Sequence, residues 1–449
     1  MNIVILGAGR IGVSLTKELL NEDHDVTIID VDASRLEYVA NKYDVKGLVG
    51  KGVSRETLLD AGTNNADFFI ACTSQDEINI ICCVLAKKLG AKKTVARVRD
   101  PEYFKEMKII KDDFLIDLAF NPEYRTAKEI SKIIKFPSAE HVESFASGKA
   151  SLTDIHLTED NLIIDKSIMD VVKKYNSKVI MASVKRGEEV FIPNGEFVFE
   201  NGDILSLIGK DTDIADFCKK IKVFKAPAKS VFIVGGGKIG FYLAEELSSA
   251  GIDVKIIEKD DKRCEILCNE LEGVTVLHGD GADKSLLVEE NLAKTDALVS
   301  LTGADEENAI VSLYAKEMNV NKIITKVERP SIKKMLDTLG LDTVVVPQEV
   351  IASHMVRFVR ASSAAVGDEI NTLYRLSDDV EALEFTVQDD FETGIPIKDL
   401  KIKKGILIGG IVRRGEYVLP TGNTSFEIGD RVIVVAPTRT ITSLKEILR

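Results

Sequence analysis

No apolar run in the 449-residue sequence approaches the roughly 18–20 residues needed to span a bilayer. The longer runs, such as Ile406 to Val412, are strand-sized. The first strand-like run, Asn2-Ile3-Val4-Ile5-Leu6, begins at once and leaves no room for a leader peptide. Positive charge is also short, 59 Lys and Arg against 72 Asp and Glu, for a net charge of −13. Clustered cations are what a nucleic acid or an anionic leaflet requires, so neither is expected as a direct partner, and any work at a membrane must go through another protein. A cytoplasmic location is expected. The six cysteines include no Cys-x-x-Cys pair and no histidine at zinc-finger spacing. Cys264 and Cys268 sit four apart on a helical stretch, yet reduced, packed thiols are expected and no metal site is assigned.

What is present is a repeat. Gly7-Ala8-Gly9-Arg10-Ile11-Gly12 recurs 228 positions later as Gly235-Gly236-Gly237-Lys238-Ile239-Gly240. At the same offset, Asp25 to Asp30 recurs as Asp253 to Glu258, and Val184 to Glu188 as Val412 to Glu416. Thr73 and Asn79 recur as Thr302 and Asn308. So constant an offset across half a chain means tandem duplication.

Each half changes texture partway. Strand-like runs at 2–6, 25–30, 45–49, 67–73, 93–98 and 114–120 alternate with helical stretches, which implies a parallel sheet covered on both faces. A helical connector is expected from Glu123 to Ile134, then a Ser- and Gly-containing stretch near Ser144 to Ser151. Shorter strands follow at 152–157, 179–184, 189–192 and 204–208, separated by turns. The expected fold is α/β: a Rossmann-like, doubly wound domain followed by a small α+β module, with the pair duplicated. The expected borders are 1–135, 140–225, 228–358 and 366–449.

Each glycine loop follows a strand, opens a helix and precedes an acid, Asp30 or Glu258, 23 positions from its first glycine. That is the dinucleotide fingerprint. Gly7 and Gly235 permit the tight turn. Gly9 and Gly237 let a pyrophosphate approach the backbone N–H groups at the helix start, and Gly12 and Gly240 allow close helix packing. Asp30 and Glu258 are suited to accept from ribose hydroxyls and to repel a 2′-phosphate, which favours NAD over NADP. Ala8, Ile11, Gly236 and Ile239 complete the loops. Arg10 and Lys238 are placed to reach phosphate oxygens. Thr73 with Ser74, and Thr302, end the fourth strands, at the edge where such sheets bind ligands. Arg97 and Lys326 follow as either phosphate contacts or solvated surface charges. His278 is expected in a loop. Lys51 and Gly52 stand where the second copy has Asp280 and Gly281, and Arg99 stands against Glu328. On those differences the first pocket should be the more cationic and the tighter binder of highly charged nucleotides.

A hydride-transfer enzyme needs an acid or base beside its cofactor. The five histidines, His24, His141, His156, His278 and His354, occupy unrelated repeat positions, so an NAD-dependent oxidoreductase is the weaker reading and no catalytic residue is assigned.

The small modules carry Pro-x-Gly-x-x-x-x-Glu-x-Gly-Asp, from Pro193 to Asp203 and again from Pro420 to Asp430. Together with the glycine loops, this resembles the RCK (KTN) ligand-gating unit. Two such units in one chain resemble the TrkA family of Trk potassium-uptake systems, over essentially the whole length. The resemblance implies a peripheral regulatory subunit, with NAD(H) and also ATP or ADP as ligands, held at the inner face of the membrane by an integral potassium-translocating partner of the TrkH/TrkG type. It implies a homo-oligomer, dimer or tetramer. By the same matching, Gly7 to Gly12, Asp30, Thr73 and Arg97 would form one site, and Gly235 to Gly240, Glu258, Thr302 and Lys326 the other. The family carries an acid where this chain has Lys51. Regulation of a potassium/proton antiporter, or a second ligand such as cyclic di-AMP on the small modules, fits the same motifs.

Overall fold

A computed structural model describes residues 1–110, 113–136, 141–223, 227–341, 343–363, 370–377, 379–438 and 441–448. The chain starts with β1 (Asn2–Leu6), α1 (Arg10–Asn21), β2 (Asp25–Asp30), α2 (Ala33–Tyr43), β3 (Lys46–Val49) and α3 (Arg55–Asp60). There follow β4 (Phe68–Ala71), α4 (Asp76–Leu89), β5 (Lys93–Arg97), α5 (Pro101–Ile110), β6 (Leu118–Phe120) and α6 (Pro122–Lys135). The six strands form one parallel sheet in the order β3-β2-β1-β4-β5-β6. The central strand β4 is buried throughout, Phe-Phe-Ile-Ala, because helices cover both faces.

The first small module contains β7 (His141–Phe145), β8 (Ala150–His156), α7 (Ile168–Tyr175), β9 (Ile180–Arg186), β10 (Glu189–Phe191), β11 (Ile204–Gly209) and α8 (Asp211–Lys220). Its sheet is antiparallel, in the order β10-β9-β11-β8-β7.

The second copy repeats the pattern with β12 (Ser230–Val234), α9 (Lys238–Ser249), β13 (Asp253–Glu258), α10 (Asp261–Glu270), β14 (Val274–His278) and α11 (Lys284–Glu289). It continues with β15 (Ala297–Ser300), α12 (Asp305–Glu317), β16 (Lys322–Lys326), α13 (Pro330–Thr338), β17 (Val344–Val345) and α14 (Pro347–Ser363). The parallel order is again β14-β13-β12-β15-β16-β17. The last module holds β18 (Ile370–Arg375), β19 (Val380–Thr386), β20 (Leu407–Arg413), β21 (Glu416–Val418) and β22 (Arg431–Pro437), in the antiparallel order β18-β19-β22-β20-β21.

The chain divides into two compact units. One comprises Met1–Ser131 with Lys229–Val356, the other Lys132–Ala228 with Arg357–Arg449. Like therefore packs on like. In the first unit, Asn121 donates to the Tyr242 hydroxyl at 3.2 Å, Lys128 pairs with Glu246, and the Tyr124 and Tyr242 rings meet edge to face at 5.5 Å. In the second, Phe145, Leu152 and Ile208 share an apolar cluster with Ala382, Val412 and Ile433. Inside each small module an arginine clamps the end of the sheet. Arg186 makes two 2.8 Å bonds to the buried Asp203, and Arg413 does the same with Asp430 at 2.9 and 2.8 Å.

Two expectations need correction. The strand expected over 114–120 forms only at Leu118–Phe120, because Leu115 takes a left-handed φ of 55° and turns the chain just before it. The Ser- and Gly-containing stretch near Ser144 to Ser151, expected without strands, is a hairpin. Ala146, Ser147 and Gly148 are all left-handed and fold β7 back onto β8, while the Ala146 N–H donates to Glu384 at 2.8 Å. Of the expected domain ends, 140, 225, 366 and 449 lie outside the described residues.

Candidate functional site

In this strand order β1 and β4 are neighbours whose following segments leave the sheet in opposite directions, which opens a crevice at their carboxyl ends. A cavity of about 490 Å³ lies there, lined by Gly7, Gly9, Asp30, Lys51, Gly52, Thr73, Ser74 and Arg97, all expected from the sequence.

The three glycines do separate jobs. Gly7 has φ +111°, and a Cβ on it would lie 3.1 Å from the Cys72 and Thr73 backbone. A Cβ on Gly12 would lie 1.9 Å from the Gly7 carbonyl oxygen, so α1 can start only with glycine there. A Cβ on Gly9 would meet nothing within 4 Å. Gly9 is the N-cap of α1, lines the crevice and supplies no side-chain cap to the N–H groups of that first turn. Ala8, Ile11 and Gly12 shape the loop, whereas Arg10 turns away from the crevice, as described below.

Asp30 holds this loop. Its carboxylate accepts from the Ala8 N–H at 2.6 Å and from the Asp32 N–H at 2.9 Å. Glu258 repeats this, accepting from Gly236 at 2.8 Å and from Lys259 and Asp260 at 2.8 and 2.9 Å. The acid thus shapes the loop, and in Asp30 each oxygen, having accepted one of these bonds, keeps a further acceptor direction.

Asn79 supports the first pocket from behind, a position that motif reading passed over, though its recurrence as Asn308 was visible. Fully buried, it accepts from the Thr73 N–H and Oγ1 at 2.9 and 2.7 Å and donates to the Arg97 carbonyl at 3.0 Å. Asn308 joins Thr302 to the Lys326 carbonyl in the same way, at 2.8 and 3.0 Å. The ends of the fourth and fifth strands are therefore locked together in both copies. Val31, Arg35, Val53 and Ile78 also line the first pocket, unsignalled in the sequence because they lie on loops and on the starts of two helices outside the motif.

Arg97 and Lys326 are not solvated surface charges. Arg97 is partly buried, donates to the Thr73 carbonyl at 3.2 Å and leaves its Nε buried without a hydrogen-bond partner. Burial, with the nearby Arg99 charge, lowers its pKa. Lys326 is 6% exposed, and its pKa is lowered by burial despite the opposing Asp305. Beside them, burial pushes the Cys72 thiol up to about 12, so it stays protonated and unreactive.

A second cavity, of about 320 Å³, lies between the two copies and shares Gly9, Cys72 and Arg97 with the first. It is lined by Arg10, Arg97, Arg99 and Lys326 together with Glu123 and Glu328. Arg10 pairs across it with Glu328, while Lys238 reaches back to the Arg99 carbonyl at 3.4 Å. Arg99 itself pairs with Glu123 at 2.8 Å. Arg99 and Glu328 thus belong to this shared cavity and do not set the charge of one mouth against the other, a correction to the expectation above. Lys51 against Asp280 remains as the difference at the mouths, and Asp280 caps its own turn by accepting from Ala282 at 2.9 Å. In the second copy Arg263 donates to the Gly236 carbonyl at 2.7 Å, whereas its counterpart Arg35 pairs with Asp32 at 3.2 Å. His278 is the last residue of β14, not a loop residue, paired in register with Glu258.

The family model described as TrkA-N domain matches residues 3–122 and 231–347, and that described as TrkA-C domain matches 152–222 and 392–449. The chain is 35% identical to a Trk system potassium uptake protein TrkA homolog of Archaeoglobus fulgidus, covering all of both chains. The chain belongs to the TrkA family. Among other TrkA relatives, the Haemophilus influenzae protein is 29% identical, with 97% of this chain and 95% of that one covered. The TrkA architecture is also close to solved structures of GsuK. The GsuK channel matches with a TM-score of 0.65 at 17% identity, covering 97% of this chain and 77% of that one. The GsuK channel bound to NAD matches at 0.64 and 16%, covering 99% and 77%. At such identities the likeness is one of fold. Among the described residues no helix is long and apolar enough to cross a membrane.

Proposed function

We propose that this chain is the nucleotide-binding regulatory subunit of a potassium-uptake system, acting at the cytoplasmic face on an integral membrane potassium-translocating partner of the TrkH/TrkG type and working as a homo-oligomer. The observation that carries the reading is the glycine loop, built twice and held each time by a carboxylate from the second strand. The TrkA names of its full-length relatives supply the transport context.

NAD(H) fits the first site on three counts. The open side of Gly9 admits a pyrophosphate, the uncapped start of α1 offers N–H donors, and the unpartnered Arg97 Nε supplies a buried donor. Gly7 to Gly9, Ile11, Gly12, Asp30, Lys51, Gly52, Thr73, Ser74 and Arg97 would surround the ligand, with Arg10 on the side of the shared cavity. Gly235 to Gly240, Glu258, Asp280, Thr302 and Lys326 would form the second site, and ATP and ADP compete for the same loops. The nucleotide serves as an effector, its affinity differing between the conformations of the unit. In keeping with this, the carboxylates nearest the shared cavity, Glu123 and Glu328, are engaged in ion pairs with arginines.

Purified protein titrated with NADH by calorimetry should bind it without consuming it in the presence of small carbonyl compounds. Reconstitution with its membrane partner should make potassium flux nucleotide-dependent. Failure to take up any adenine nucleotide, or steady NADH oxidation, would end this reading.

A further inference from the structure

The Glu328 carboxylate lies between two cations, one from each copy. One of its oxygens pairs with Arg10 at the start of α1, and the other is 3.5 Å from the buried Lys326 ammonium. The arrangement is one-sided. At the equivalent place in the first copy stands Arg99, whose guanidinium is turned to Glu123 and whose carbonyl accepts from Lys238. Two acids line the cavity: Glu123 pairs with Arg99 of its own copy, whereas Glu328 stands between cations of both copies. Arg97 lies on the wall common to this cavity and the first nucleotide pocket, with its Nε unsatisfied.

The buried Lys326 ammonium needs an anion, and in this arrangement the protein supplies its own. We propose that Glu328 is an internal competitor for phosphate: it neutralises Arg10 and Lys326 until a nucleotide in the first site presents a free terminal phosphate to the shared cavity, and so sets the discrimination between nucleotides by phosphate number. The inference rests on nucleotide binding at the first glycine loop and adds the residue that tunes its selectivity. A nucleoside triphosphate ends in a free, multiply charged phosphate that can displace a carboxylate from a guanidinium. In NADH both phosphates are internal diesters, each with one charge, so it competes far less. Because Glu328 is 30% exposed and Arg10 72% exposed, water screens the pair and the effect is bounded.

The test is a calorimetric titration of the full chain with ATP and, separately, with NADH. Glu328→Gln keeps the side-chain shape and removes the charge. It should tighten ATP by roughly fivefold, the scale of one partly screened ion pair, and leave NADH within twofold. In an Arg10→Ala background the same Glu328→Gln change should give at most half that gain, because the freed cation is gone. Unchanged NADH binding also reports that the variant is folded. Equal shifts for both nucleotides, no shift for ATP, or a full gain without Arg10 would each overturn the proposal. If the unaltered protein binds neither nucleotide, it is the regulatory reading itself that fails.

Discussion

Asp30, the last residue of β2, accepts a 2.6 Å hydrogen bond from the backbone N–H of Ala8 inside the glycine loop. The same carboxylate accepts from the Asp32 N–H through its other oxygen at 2.9 Å, so one side chain ties the end of a strand to the loop that starts the neighbouring helix. Asn offers only one acceptor oxygen and cannot serve both N–H groups. Asp30→Asn should therefore weaken NADH binding by about tenfold, the worth of one charge-assisted bond, as read by NADH fluorescence titration. The small modules should unfold as before.

The glycines of the first loop should separate stability from binding. Gly12→Ala places a methyl 1.9 Å from the Gly7 carbonyl oxygen, so α1 must shift, at a cost of about 1–3 kcal/mol. Gly9→Ala meets no neighbour within 4 Å and its φ of −75° suits any residue, so stability should change by less than about 0.5 kcal/mol. That methyl nevertheless stands in the path of a pyrophosphate, and nucleotide affinity should fall at least tenfold. Denaturant unfolding and titration of the two variants would show opposite rankings.

Arg186 donates twice to the fully buried Asp203 carboxylate, which also accepts from the Glu200 N–H at 2.8 Å. Contact with Asp203 raises the Arg186 pKa. Arg186→Ala strands that carboxylate and should destabilise the module by about 3–5 kcal/mol. Arg186→Lys, which keeps charge but loses the two-pronged geometry, should fall between. Arg413→Ala should act alike on the second module through Asp430. Urea denaturation followed by circular dichroism reads both.

Asp117 gives the first unit a defined acid sensitivity. Burial alone would raise its pKa, but the bond from Lys87, the Thr94 N–H and the Lys87 and Lys93 charges outweigh this and bring it below its ordinary 3.8. A carboxylate depressed on folding contributes stability above its unfolded pKa of about 3.9 and loses it as pH falls through the folded value. Stability should thus decline below about pH 4. In Asp117→Asn it should be lower at pH 7 and decline less steeply between pH 4 and 2, as measured by unfolding at fixed urea.

Much of the site was legible because it is local in sequence. A strand, three glycines at fixed spacing and an acid one strand later specify a tight strand-to-helix turn whatever surrounds them, and Gly7, Gly12 and Asp30 form such a turn in the structure. The Arg97 and Lys326 alternatives could not be separated, since burial depends on what covers the end of the fifth strand. Arg99 and Glu328 were placed in separate pockets because a repeat read linearly does not reveal that its copies face each other. The β7–β8 hairpin is not legible in the sequence because Ala146, Ser147 and Gly148 carry no strand signal. Their turn is instead supported by Glu384, more than two hundred positions away.

By itself the order of residues determined the duplication, the alternation of strands and helices and the two glycine loops, because each depends on chemistry within a few residues of the backbone. Only the tertiary structure decided that the two nucleotide domains form one unit and the two small modules another, and that Arg10 meets Glu328 over a shared cavity. The physical reason is that ion pairs and burial depend on distance in space, and the sequence separates these partners by most of the chain.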